Sequence, residues 1–208
     1  MKKFAIVLLV LLVLLTGCSI VRIDTTDIDS ILNAVLTKSN KLYNQVGQGY
    51  KYYVPAGVTY IDTDDFNNIL YCNGTYYYLY IDLIDYYNKT NIEYEENNNA
   101  YYSKIIDTSD GFKYPGYIEI NKAGKSMYHI DFVYNYSKVE ALVEKSKLNE
   151  SVLNISYILS TIKYNRNVVK LMLDEEYFTN KTGKYSNYKT NSSTNKFKLK
   201  TQGKNKEG

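Results

Sequence analysis

The sequence predicts an α+β fold, one antiparallel β-sheet with an N-terminal and a C-terminal helix packed on it. Three observations carry that prediction: a helical-period stretch near the start, a long middle of alternating residues and turns, and a return to helical period before the end. In the first, Ile28, Ile31, Leu32, Val35, Leu36, Leu42, Tyr43 and Val46 keep to one face at helical spacing. They predict a core-facing helix from Ile28 to Val46, capped by Asp27 or Asp29 and stopped by Gly47 and Gly49.

From Gly49 the period changes to two. Tyr50 to Val54 reads as a strand that Pro55-Ala56-Gly57 interrupts and Val58 to Ile61 resumes. Asn73-Gly74 separates Ile69 to Cys72 from the run Thr75 to Tyr87, and Asn-Gly between β-rich segments signals a two-residue hairpin whose turn needs positive φ at both positions. In that second arm Tyr77, Leu79, Ile81 and Leu83 alternate with Tyr76, Tyr78, Tyr80 and Asp82. The odd positions are expected to face the core. The even face, Tyr76, Tyr78, Tyr80 and Asp82, is then a candidate contact surface. Asn88 to Ala100 is polar and acidic and reads as a mobile loop. Strands follow at Tyr101 to Ile106, Tyr117 to Asn121, Met127 to Tyr136 and around Val139 to Val143. Leu148, Val152, Ile155, Leu159 and Ile162 then mark a helix that Asn149 or Ser146 starts and Tyr164-Asn165 ends. Val168 to Phe178 is amphipathic without favouring helix or strand.

Charge divides the chain. The net +3 resolves into +2 in the first eighteen residues, +7 in the last thirty, where eight lysines face Glu207, and −6 between them. An acidic body lacks the basic face that nucleic-acid phosphates require. Thr179 to Gly208 has too little apolar content to bury and reads as a disordered, Lys-rich tail suited to anionic surfaces or simply to solvent. The 25 tyrosines fit a sticky surface or, more simply, an AT-rich genome; the absence of Trp favours the second.

No catalytic constellation is legible. His129 is the single histidine, so multi-imidazole metal sites and a supported Ser-His-Asp arrangement have no basis. His129 and Asp131 share a strand face, which allows an acid–base pair but reads more simply as a surface histidine beside a carboxylate. Asp62, Asp64 and Asp65 open like a calcium loop without its later Gly and Glu, and read as a polar turn. Cys72 has no partner for an internal disulfide once Cys18 is assigned as below, and is expected to be a small buried residue. No cofactor or metal is implied.

Lys2 and Lys3 precede an apolar run from Phe4 to Leu15, the layout of a secretory signal, and the run is shorter than the ~20 residues a bilayer span needs. The closing Leu15-Thr16-Gly17-Cys18 resembles the lipobox of bacterial lipoproteins. That resemblance implies cleavage before Cys18, an acyl lipid such as palmitate on it, and an address on the outer face of the cell membrane, with a Gram-positive host. It divides the chain into a signal peptide (1–17), lipidated Cys18 with a tether (18–26), one α+β domain (27–178) and the tail (179–208). Gly49-Tyr50-Lys51-Tyr52-Tyr53-Val54-Pro55-Ala56-Gly57 resembles the first strand and turn of the PsbP-like fold, although Val58 stands where that fold usually has Trp. Ile158 to Tyr164 is similar to the end of its last helix. The resemblance implies a sheet sandwich of the accessory or binding kind and transfers no functional residue. The function expected is that of a non-catalytic binding or accessory module of the cell envelope, held to the membrane through Cys18, with an envelope protein or wall polymer as partner. The alternatives are a solute-binding lipoprotein, for which the chain is short, and an envelope hydrolase.

Overall fold

The computed structural model describes residues 25–64 and 66–174. The predicted signal peptide, Cys18 with most of its tether, Asp65 and the predicted basic tail lie outside these residues. In chain order the elements are α1 (Ile28–Leu36), β1 (Gln45–Gly47), β2 (Tyr50–Tyr52), β3 (Thr59–Asp64), β4 (Asn67–Cys72), β5 (Thr75–Ile81), α2 (Leu83–Asn88), β6 (Tyr102–Ile106), β7 (Gly116–Lys122), β8 (Met127–Tyr134), β9 (Ser137–Glu144), α3 (Leu148–Thr161), β10 (Lys163–Tyr164) and α4 (Arg166–Asp174). The expected α+β architecture is present. A seven-stranded antiparallel sheet runs β3-β4-β5-β9-β8-β7-β6, and a three-stranded sheet runs β1-β2-β10.

Alternation and period decide the layers. Tyr77, Leu79, Ile81, Ile118, Ile120, Ile130, Phe132, Val139 and Val143 point to one face of the large sheet and are buried there. α3 lies on that face over β8 and β9, and α1 packs beside it. Ile31, Leu32, Val35 and Leu36 of α1 and Val152, Ile155 and Leu159 of α3 close the core between helices and sheet. Burying each such side chain contributes ~1.5–3 kcal/mol. Asn73 and Gly74 take φ of +48° and +86° and make the β4–β5 hairpin as the dipeptide predicts.

Asp62 and Asp64, expected in a polar turn, lie instead in β3, paired with β4, and four expectations about the path of the chain change. The helix predicted over Ile28 to Val46 ends at Leu36, and Leu42, Tyr43 and Val46 are 54%, 52% and 75% exposed. The polar run Thr37-Lys38-Ser39-Asn40 gives a helix nothing to bury. The Asn40 side chain instead accepts a hydrogen bond from Leu42 N–H, and residues 45–47 gain a backbone ladder with β2. The strand predicted to Tyr87 ends at Ile81, because the Asp82 carboxylate accepts from Asp85 N–H and caps α2. The second long helix stops at Thr161, and residues 163–164 join the small sheet opposite Lys51 and Tyr50. The two stretches that resemble the PsbP-like fold therefore meet at this β2–β10 pairing. Residues 166–174 form a helix that packs on α2 and buries Val169 and Met172.

The fourth concerns Asn88 to Ala100. This segment carries the chain from the end of α2, which follows mid-sheet β5, to β6 at the far edge, across the helix-free face. It is a strap rather than a free loop: Tyr94 stacks on Tyr117 of β7 at 3.9 Å, Asn97 N–H donates to Ser103 Oγ at 2.9 Å, and Glu96 accepts from Ile105 N–H. Its polar composition suits a polar sheet face and was no sign of disengagement.

Because α3 is the central piece of the helical layer, Ile155→Ala is expected to lower unfolding free energy by ~2–5 kcal/mol in urea titration. Tyr76→Ser, on the other side of the sheet, is expected to stay within ~0.5 kcal/mol of wild type.

Candidate contact surface on the helix-free sheet face

The pleat that fills the core with one set of side chains presents the other set on the opposite face. Cross-strand pairing places Glu119, Asp131, Glu140 and Tyr78 in one row across β7, β8, β9 and β5. The neighbouring row holds Tyr117, Val133, Lys138 and Tyr80. Three carboxylates directly opposite one another repel. Lys138 relieves this by reaching Asp131 Oδ2 at 3.0 Å and Glu140 Oε1 at 2.7 Å.

Each charge has a local cause. Burial pushes the Asp131 carboxyl up to about 6 and, with Glu140 beside it, outweighs the pull of Lys138; Oδ1 is sealed from solvent without a hydrogen-bond donor. Burial would also raise Glu119, but Tyr94 hydroxyl at 2.5 Å, Asn121 Nδ2 at 2.7 Å and Asn97 Nδ2 at 3.2 Å all donate to it and hold it below the usual range. Burial lowers His129, so its ring is neutral near pH 7. Lys138 is desolvated as well, yet the two carboxylates raise it and keep it charged. The patch is net negative at neutral pH, with a single captive cation. Among the described residues no group of three His, Cys, Asp or Glu side chains is placed to hold a metal ion.

Toward β4 the same face turns aromatic. Tyr76 is 49% exposed and its ring lies 6.4 Å from that of Tyr78, while Tyr71 of β4 approaches Tyr76 at 5.1 Å. Two of the predicted residues, exposed Tyr76 and half-buried Tyr78, thus come together. Tyr80 shares the face but is half-buried beside Lys138. Asp82 does not belong to it. With 2% exposure it sits at the sheet end, where the chain leaves the strand to begin α2. Asp131 and His129 share the face as their spacing implies, but the Asp131 carboxylate is engaged by Lys138. Cys72 is buried, with Asn154 Nδ2 3.7 Å from its sulfur, and burial raises its thiol pKa. Tyr71, Tyr94, Glu119, Lys138 and Glu140 were not read as site residues from the sequence. Their alternation was visible, but their adjacency depends on which strands pair.

Asp82 offers a test of buried charge. Burial, with Asp85 nearby, pushes it up to about 7, and Oδ2 is buried without a partner. A carboxyl raised in the folded state stabilises below its unfolded pKa of ~4 and loses that contribution as pH rises through the folded value. Asp82→Asn keeps the cap and removes the charge, and its amide can donate toward Asp85. Relative to wild type the variant is expected to gain stability as pH rises from about 4 to about 7, and to be ~1–3 kcal/mol more stable at pH 8. Urea titrations across that range measure the difference.

No known protein family matches this chain, and neither a curated protein nor a solved structure does.

Proposed function

We propose that this protein is a lipid-anchored lipoprotein on the outer face of the cell membrane, a non-catalytic binding or accessory module. The helix-free sheet face, with Tyr71, Tyr76 and Tyr78 beside the Glu119-Asp131-Glu140 patch, is its contact surface. The anchor rests on Leu15-Thr16-Gly17-Cys18 and the Lys-flanked apolar run before it. The contact surface rests on one observation: exposed Tyr76, flanked by the half-buried rings of Tyr71 and Tyr78, stands on a sheet face over which no helix packs. Rigid aromatic side chains with polar tips supply contact area at low entropic cost, and a charged rim selects the partner. The net negative patch favours a partner with exposed cations, an envelope protein before a wall polymer.

Two variants separate the parts of this reading. Cys18→Ala is expected to leave an uncleaved precursor and abolish incorporation of radiolabelled palmitate; wild-type chain that is neither cleaved nor acylated would refute the anchor. Tyr76→Ser with Tyr78→Ser is expected to weaken co-purification of the membrane partner by tenfold or more, equivalent to ~1.4 kcal/mol, while the variant still unfolds cooperatively in urea, less stable by ~1–2 kcal/mol for the lost ring contacts. Undiminished recovery would refute the surface.

A further inference from the structure

We propose that a second site, a cleft at the seam between the two sheets, binds a neutral, hydroxyl-bearing ligand the size of a single sugar ring. β1 is an outer strand of the small sheet and β3 an outer strand of the large one. A cleft of about 200 Å³ opens between them, with Asn68 of β4 at its floor. That volume lies below the ~300–1,000 Å³ of sites for larger small molecules, which sets the size class.

The floor consists of Tyr50, Tyr52 and Asn68, exposed by only 5%, 1% and 4%. Three of the four hydrogen bonds made at Asn68 are long. Asn68 Oδ1 accepts from the Tyr52 hydroxyl at 3.3 Å and the Tyr50 hydroxyl at 3.5 Å, and Nδ2 donates to Tyr50 Oη at 3.1 Å and Phe66 O at 3.4 Å. Hydroxyl bonds ordinarily settle near 2.7–2.8 Å and amide bonds near 2.9–3.0 Å. An amide held mainly by stretched bonds can exchange one of them for a better partner, and a ligand hydroxyl, which donates and accepts, supplies one.

The lining also states what is refused. At the rim stand Gln45, Tyr60 and Thr63, an amide, a phenol and a hydroxyl, and none of the described residues lining the cleft is charged. Burial pushes both floor phenols up in pKa, so they stay neutral donors. A charged ligand would lose its hydration here without meeting an opposite charge, which disfavours it strongly. The rings of Tyr50 and Tyr52 are stacked at 6.2 Å with planes 22° apart, giving an apolar surface beside the polar atoms. Gly47 completes the seat. A Cβ at Gly47 would stand 2.2 Å from Cζ of Tyr50, so the ring rests on bare backbone and any side chain displaces its hydroxyl from Asn68.

Saturation-transfer NMR on the full lipidated chain in phosphocholine micelles tests this, with glucose and N-acetylglucosamine as neutral probes and glucuronate as the charged one. Transfer to a neutral sugar is expected at about 1–10 mM, the weak affinity a site this small supports. Gly47→Ala is expected to cut it tenfold or more, Tyr76→Ser to leave it unchanged, and glucuronate to bind at least tenfold more weakly. Should Gly47→Ala fail to fold, Gln45→Ala with Thr63→Val at the exposed rim serves the same purpose. The proposal is overturned by absence of transfer from both neutral sugars, by equal transfer from glucuronate, or by transfer that survives the cleft variants. Transfer abolished by Tyr76→Ser alone would place the sugar on the open tyrosine face instead.

Discussion

The structure depends on one-sided burial of the seven-stranded sheet. Two helices, α1 and α3, suffice to cover one face, and they consume the apolar residues of strands and helices alike. The other face is buried only in part, at Tyr117 and Val133 among others, and its remaining outward positions must be compatible with water. That requirement accounts for the carboxylates and tyrosines at the outward positions of β5, β7, β8 and β9, and for a strap across them that is itself polar. The Asp131-Lys138-Glu140 group is no stabilising device of consequence, because half-buried ion pairs roughly break even against their desolvation. Its effect is to fix the charge pattern of the face, since Lys138 is held between its partners and Glu119 between three donors.

A second dependency joins the two sheets. The β8–β9 turn places both Asn135 and Tyr136 at positive φ, +53° and +57°, a conformation costing a bulky residue on the order of 1 kcal/mol or more. β10 and its surroundings hold it there. Tyr164 hydroxyl lies 2.7 Å from Asn135 O and 3.1 Å from Tyr136 O, Asn135 Nδ2 donates to Ile162 O at 2.9 Å, and Asp82 N–H donates to Tyr136 O at 3.0 Å. The small sheet is thereby tied to a two-residue turn of the large one.

Much of the fold was legible because it rests on local chemistry. Asn73-Gly74, the alternation through β5, β8 and β9, and the three-four spacing of α3 each encode their own element. The errors share a cause in competition between local signals. Leu42, Tyr43 and Val46 continue a helical spacing by coincidence after four polar residues have ended the helix. Asp82 continues an alternation that its own capping bond terminates. The contact surface was half legible: Tyr76 and Tyr78 lie two apart on one strand, so pleat alone places them together. Glu119, Asp131, Glu140 and Lys138 come from three strands, and only long-range pairing register, which spacing does not specify, brings them side by side. The strap was misread for a related reason, since a polar segment looks unengaged until the polar surface beneath it is known.

The proposed contact surface puts partners on the sheet face that lacks helices. Site-specific photocrosslinking in intact cells tests it most directly, with a photoreactive residue placed at Tyr76 on that face or at exposed Asn33 on α1. A discrete adduct from position 76, absent from position 33, is the predicted result. An adduct from position 33 with none from position 76 would contradict the account and move the contact to the helical layer.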